Sequence, residues 1–185
     1  MYRDLDEPDL ARLCSENDRQ AQNELYTRYA TLLFTLCRRY TKDESEALDL
    51  LQDSIIKALK KISSFKYSGK GSLYAWIRRI TVNAALDNIR KHRLKFVSLD
   101  LFHSDTIPEP QESDVAEITQ EQLMDIISDL PEAQRAVFNM FCIDGYSHKE
   151  IAEMLGISEK GSASMLAKAR KQLKIRIYNI VNKSE

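Results

Sequence analysis

The chain has 185 residues, 43% of them hydrophobic and 30% charged, which allows one large domain or two small ones and excludes a wholly disordered chain. Only 5 glycines and 4 prolines are available as turn punctuation, so an all-helical fold is favoured over a β architecture. The acidic start from Met1 to Asp9 is unlike a secretion signal, no apolar run approaches the ~20 residues of a membrane span, and the net charge of -1 conceals a strong internal asymmetry.

Residues 1 to 95 hold 18 Lys and Arg against 13 Asp and Glu, residues 96 to 135 hold 1 against 10, and residues 136 to 185 hold 8 against 5. Two basic blocks thus flank an acidic one, the distribution expected if two modules each approach a polyanion. Along the first block, Leu25, Tyr29, Leu32 and Leu36 repeat at helical spacing, as do Ala47, Leu51, Ile55, Ala58 and Ile62. On the second of these helices Asp49, Gln52 and Asp53 share a face opposite the apolar stripe. That acidic face suits a basic partner, although acids early in a helix and Lys57, Lys60 and Lys61 late in it are also good helix-dipole design.

A third helix is expected from Ser72, a candidate N-cap after Gly71, with Leu73, Ile77, Ile80 and Ala84 as its stripe. From Lys66 to Lys95 there are eight cationic residues and one acid, with Phe65, Tyr67, Tyr74 and Trp76 interleaved. Aromatic platforms in a cationic groove hold unpaired bases, at about 1 to 3 kcal/mol per stacked base. Trp76, Arg79, Asn83 and Arg90 fall on one face; the alternative for Tyr74 and Trp76 is a place in the core.

Periodicity fails between about Lys95 and Ser113, where Ser104, Asp105, Pro108, Glu109, Pro110 and Glu112 give linker composition. A second helical module is expected from near Ile118, with Pro131 opening a helix over Glu132 to Ile143, then helices over Ser147 to Leu155 and Glu159 to about Ile180. The last two form a helix-turn-helix. Ala152 is small at the crossing, Gly156 can take the positive φ that ends the first helix, and Ser158 can cap the second. On the second helix Ser162, Leu166, Ala169 and Leu173 form the packing face, while Lys160, Ser164, Lys168 and Lys171 recur opposite, where a major groove would lie. The three cysteines, Cys14, Cys37 and Cys142, form no close pair, which speaks against a disulfide framework or a zinc site; all three are read as buried thiols.

The run DLPEAQRAVFNMFCIDGYSHKEIAEMLGISEKGSASMLAKARKQL, from Asp129 to Leu173, resembles the promoter-binding region 4 of extracytoplasmic-function sigma factors, and Glu46 to Lys95 resembles their region 2. The resemblance implies region 2 over 1–95, an acidic linker over 96–116 and region 4 over 117–185. It implies docking on the polymerase clamp helices by Asp49, Gln52 and Asp53. The loop Ser63 to Ser72, with Phe65, Tyr67 and Lys70, would hold a flipped base of the -10 element, and Trp76, Arg79, Asn83 and Arg90 would meet the adjoining DNA. Lys149, Ser158, Lys160, Ser162, Ser164, Lys168 and Lys171 would serve the -35 element. The expected partners are core RNA polymerase, promoter DNA and an anti-sigma factor, in a bacterial cytoplasm, with no cofactor, metal, small-molecule substrate or membrane insertion. Family members often read Glu, Gly, Thr, a small residue, Lys, Ser after the capping serine; this chain has Glu159, Lys160, Gly161, Ser162, Ala163, Ser164, so a basic residue is displaced and Gly161 should weaken the first turn by up to about 1 kcal/mol.

Two rivals are weaker. An ordinary helix-turn-helix transcription regulator, with a sensor or dimerisation domain as its N-terminal half, would bind a specific duplex without polymerase, and a sensor has no reason to join an acidic docking face to a cationic aromatic helix. An enzyme on nucleic acid would need a catalytic constellation, and His92, His103 and His148 are scattered.

Overall fold

The computed structural model describes residues 2–93 and 119–181, which hold eight α-helices and no strand. The acidic segment expected at 96–116 lies outside the described residues. The chain divides into two compact units, Met1–Asp87 and Asn88–Glu185.

The first unit is built from α1 (Glu7–Ser15), α2 (Arg19–Tyr40), α3 (Glu44–Lys61) and most of α4 (Ser72–Arg93). Each of the first three begins at an aspartate whose carboxylate satisfies otherwise orphaned N–H groups: Asp6 for α1, Asp18 for α2 and Asp43 for α3. The N–H groups of Ala21 and Gln20 and the Tyr2 hydroxyl all donate to Asp18, and the backbone bond from Ala21 leads in holding this carboxyl below its ordinary value. The Arg28 guanidinium donates to the Leu5 carbonyl at 2.9 Å, fastening the amino-terminal segment to α2.

Leu25, Leu33, Leu36, Ala47, Leu51, Ile55, Leu73 and Ile77 fill the core of this unit. Each fully buried Leu or Ile contributes about 1.5 to 3 kcal/mol over its exposed state. The stripe on α2 corrects one expectation: Leu33 is buried, whereas Leu32 is 53% exposed. Adjacent leucines offer two registers with nearly equal periodicity, and tertiary packing within the unit selects the second. On α4 the buried face is wider than expected and takes in Val82, Ala85 and Leu86 as well as Ala84.

The second unit contains α5 (Gln120–Ser128), α6 (Glu132–Phe138), α7 (His148–Leu155) and α8 (Glu159–Val181). Thr119 and Gln122 form a reciprocal capping box at the start of α5. The buried Arg135 side chain donates to the Ser128 carbonyl, a group left without a helical partner at the end of α5. Ile126, Ile127 and Leu130 pack on Ala169 and Leu173, with Phe138, Ile177 and Ile180 against them. The helix expected to run to Ile143 departs from α geometry at Asn139 and widens into a π-turn over Asn139–Ile143; the Asp144 N–H closes it on the Asn139 carbonyl at 2.9 Å.

The cysteines divide. Cys14 and Cys37 are buried, and desolvation pushes their thiols up to about 11 and about 12; Cys142, expected inside, is exposed on the π-turn. Ellman's reagent at pH 8 is therefore expected to titrate one thiol in the native protein and three in denaturant. Three rapidly reacting thiols under native conditions would contradict this packing.

Candidate nucleic-acid and polymerase interfaces

On α3 the core stripe is continuous from Ala47 to Ala58, so the opposite surface is fixed by helical geometry. Asp49, Gln52 and Asp53 are all exposed there, together. The structure adds two residues that the charge pattern did not reveal: Leu48 is 43% exposed and Ile56 49% exposed, in register with Gln52 at i and i+4 spacing. Their signal was present in the sequence, since both lie one position outside the buried stripe, where a purely solvated helix would carry polar residues. The face is thus an apolar ridge edged with carboxylates.

The loop before α4 begins with a 3-10 turn over Ile62–Ser64. Phe65 is half-buried and its ring packs on Trp76 with centroids 5.8 Å apart and planes at 59°, so the loop and the helix share one aromatic unit. Tyr67, Lys66 and Lys70 are exposed beside it. Trp76 is half-buried; Arg79, Asn83 and Arg90 are exposed along the same face of α4. Tyr74 faces inward instead and stacks on Tyr29, with centroids 6.0 Å apart. Burial chiefly raises the Tyr29 phenol, and the nearby Glu7 carboxylate adds to the effect.

Ser72 does not cap α4, as its place after Gly71 suggested. It is the first helical residue; Gly71, at φ +90°, is the cap position, and Glu7 of α1 supplies the acceptor. A carboxylate more than sixty residues away in sequence leaves no local signal.

In the second unit Ser147 caps α7 reciprocally with Glu150: the Ser147 N–H donates to the Glu150 carboxylate at 2.8 Å and the Glu150 N–H donates to the Ser147 hydroxyl at 3.3 Å. The Ser147 backbone bond leads in holding the Glu150 carboxyl below its ordinary value. α7 ends at Gly156, φ 66° and ψ 42°, a left-handed cap that favours glycine, and the chain turns directly into α8. Ser158 accepts from the Gly161 N–H at 3.0 Å, so its hydroxyl is engaged in capping. A Cβ at Gly161 would lie 3.1 Å from that hydroxyl, which gives the unexpected glycine a local reason: it leaves the cap oxygen room.

Lys160, Ser164 and Lys168 are exposed on one side of α8, with Ala163 and Ala167 between them and Lys171 half-exposed further along; Lys149 is exposed on α7. The two alanines keep this face shallow enough for close approach to another surface. Ser162 is a correction to the expected DNA-contacting set. It is 0% exposed and its hydroxyl lies 2.9 Å from His148 Nδ1, while the His148 ring stacks on Phe141. A side chain enclosed between the two helices braces the motif and cannot reach DNA in this structure.

Among the described residues, the first unit carries a cationic aromatic face on α4 and an acidic-apolar face on α3, and the second unit carries a shallow cationic face on α8. A family model for Sigma-70 region 2 matches residues 25–95 and one for Sigma-70, region 4 matches residues 120–173. Among curated relatives, the ECF RNA polymerase sigma factor SigM of Mycobacterium tuberculosis is 31% identical, with 84% of this chain and 76% of the relative covered. SigM of Bacillus subtilis is 27% identical over 85% of this chain and 94% of the relative. Among solved structures, the sigma factor RpoE of Bartonella quintana in complex with the anti-sigma factor NepR shares the fold at a TM-score of 0.50 and 21% identity, over 83% of this chain and 96% of that one. The chain belongs to the ECF family of RNA polymerase sigma factors, alternative sigma factors that direct core polymerase to particular promoters.

Proposed function

We propose that residues 1–95 dock on core polymerase and open the -10 element, that residues 117–185 read the -35 duplex, and that the acidic 96–116 segment tethers them. The observation that carries this reading is the aromatic unit of Phe65 and Trp76 set beside exposed Tyr67, Lys66, Lys70 and Arg79. Strand opening needs a surface that binds the separated strand better than the pair, and stacking rings next to cations do so. Docking belongs to the Leu48, Asp49, Gln52, Asp53 and Ile56 face of α3. The protein acts by binding alone, without a catalytic step, and works in the cytoplasm, where the polymerase is; no helix among the described residues is long and apolar enough to cross a membrane. An anti-sigma factor that covers these faces is the expected antagonist, by analogy with the RpoE and NepR pair.

The test separates binding from opening. Holoenzyme carrying Arg79→Ala with Tyr67→Ala should open a promoter labelled with 2-aminopurine in its -10 element at least about tenfold more slowly, with core affinity within about twofold of wild type; about 1.4 kcal/mol of lost strand binding corresponds to tenfold. An equal loss of core affinity would move this face from DNA to the polymerase.

A further inference from the structure

The amino end of α4 is closed by α1. Glu7 accepts the Gly71 N–H at 2.9 Å through one carboxylate oxygen, and the Leu73 N–H at 3.0 Å and the Ser72 hydroxyl at 3.3 Å through the other. The Ser72 hydroxyl in turn accepts from the Ser68 N–H at 3.3 Å, and the Ser72 N–H donates to the Gly69 carbonyl at 3.1 Å. The carboxylate therefore holds the helix start and, through Ser72, the second half of the Ser63–Ser72 loop.

The first half of that loop also rests on α1. Pro8, Ala11 and Arg12 of the helix face Ser63, Phe65 and Tyr67 across a cleft of about 210 Å³. That volume is below the roughly 300 Å³ of sites for drug-sized ligands and leaves space beside the Phe65 ring. Beyond the Phe65 contact with Trp76, a loop with two positive-φ glycines, Gly69 and Gly71, and an exposed Tyr67 has little packing of its own to fix it. α1 lies before residue 25, outside the span that the region 2 family model matches.

We propose that Glu7 is a positioning residue for strand opening: by clamping Gly71, Ser72 and Leu73 it holds the loop aromatics in the arrangement that captures the unpaired strand. This rests on the loop's role in opening given above. The chemistry is specific to a carboxylate. Glu7→Gln is isosteric, but its amide presents a single acceptor oxygen and turns an N–H toward a backbone N–H, so one side of the clamp becomes repulsive. Because the clamp acts on the loop and not on α3, its loss should affect opening and spare docking.

Holoenzymes with wild-type, Glu7→Gln, Glu7→Asp and Tyr67→Ala chains are compared on one duplex promoter for core affinity, opening rate from 2-aminopurine fluorescence, and initiation from the same promoter already unpaired across its -10 element. Glu7→Gln should slow opening roughly tenfold, the scale of a lost hydrogen bond to a charged group. Core affinity should stay within about twofold, initiation on the unpaired template should recover, and Glu7→Asp, which keeps both acceptors on a shorter arm, should fall between. Normal opening by Glu7→Gln alongside slow opening by Tyr67→Ala would overturn the clamp and leave the loop's role standing. Normal opening by both would remove the loop's role and the clamp with it. Parallel loss of melting temperature, core affinity and opening would make Glu7 a fold-stabilising residue only; should Glu7→Gln not fold, the same comparison on Glu7→Asp decides.

Discussion

Replacing Asp49 and Asp53 together with lysine is expected to weaken association with core polymerase by at least about 100-fold while leaving the helical content and melting temperature of the free protein near wild type. Both side chains are exposed on α3, away from the buried stripe, and surface substitutions of this kind usually change stability within about 0.5 kcal/mol. At the interface the effect is larger, because opposing like charges costs several kcal/mol, and each 1.4 kcal/mol is tenfold in affinity. Leu48→Ala and Ile56→Ala test the apolar part of the same face. Truncation of a well-packed interface anchor costs more than 1 kcal/mol, so each should weaken docking severalfold with little effect on the free protein. Fluorescence titration of labelled protein with core enzyme measures both. Wild-type affinity in the double lysine variant would exclude this face.

The second large effect is expected on α8. Lys160→Ala with Lys168→Ala should lower affinity for a -35 duplex by roughly tenfold per lysine and reduce the slope of log affinity against log salt by about 0.9 for each phosphate that is no longer neutralised. Both side chains are exposed on the shallow side of the helix, with Ala163 and Ala167 between them. Ser162→Ala should act through a different route. Its hydroxyl is enclosed at 2.9 Å from His148, and its loss should lower the stability of the helix-turn-helix without changing the salt slope. A salt slope unaltered by the double lysine change would mean that neither lysine meets a phosphate.

Much of this arrangement was legible from periodicity. The stripe from Ala47 to Ala58 on α3 needed only helical spacing, and Gly156 and Ser158 announced the turn between α7 and α8 because a left-handed cap and an N-cap are local requirements. What stayed hidden was decided by residues distant in sequence. Leu32 and Leu33 compete for one stripe, and only tertiary packing selects Leu33. Glu7 caps α4 across more than sixty residues, which no window around Ser72 can show. The charges between Leu48 and Ile56 mask their apolar signal, although two large exposed apolar side chains beside an acidic face are a more specific interface signal than the acids alone. Ser162 carries a hydroxyl on a helix with a cationic face, yet its spacing with Leu166, Ala169 and Leu173 already put it inward, and the structure agrees with the spacing. The widening of the helix at Asn139 into a π-turn, which leaves Cys142 at the surface, has no signature in hydrophobic pattern alone.

If two cationic helical units work on one promoter only when the α3 face is seated on polymerase, run-off transcription with purified core enzyme and a set of promoter fragments from the source genome will show it. The wild-type chain is expected to produce discrete starts on a subset of templates, and the Asp49→Lys, Asp53→Lys chain none, even where it still binds the -35 duplex. Discrete starts that survive the double substitution, or none from the wild-type chain with active core and the full set of fragments, would exclude this arrangement.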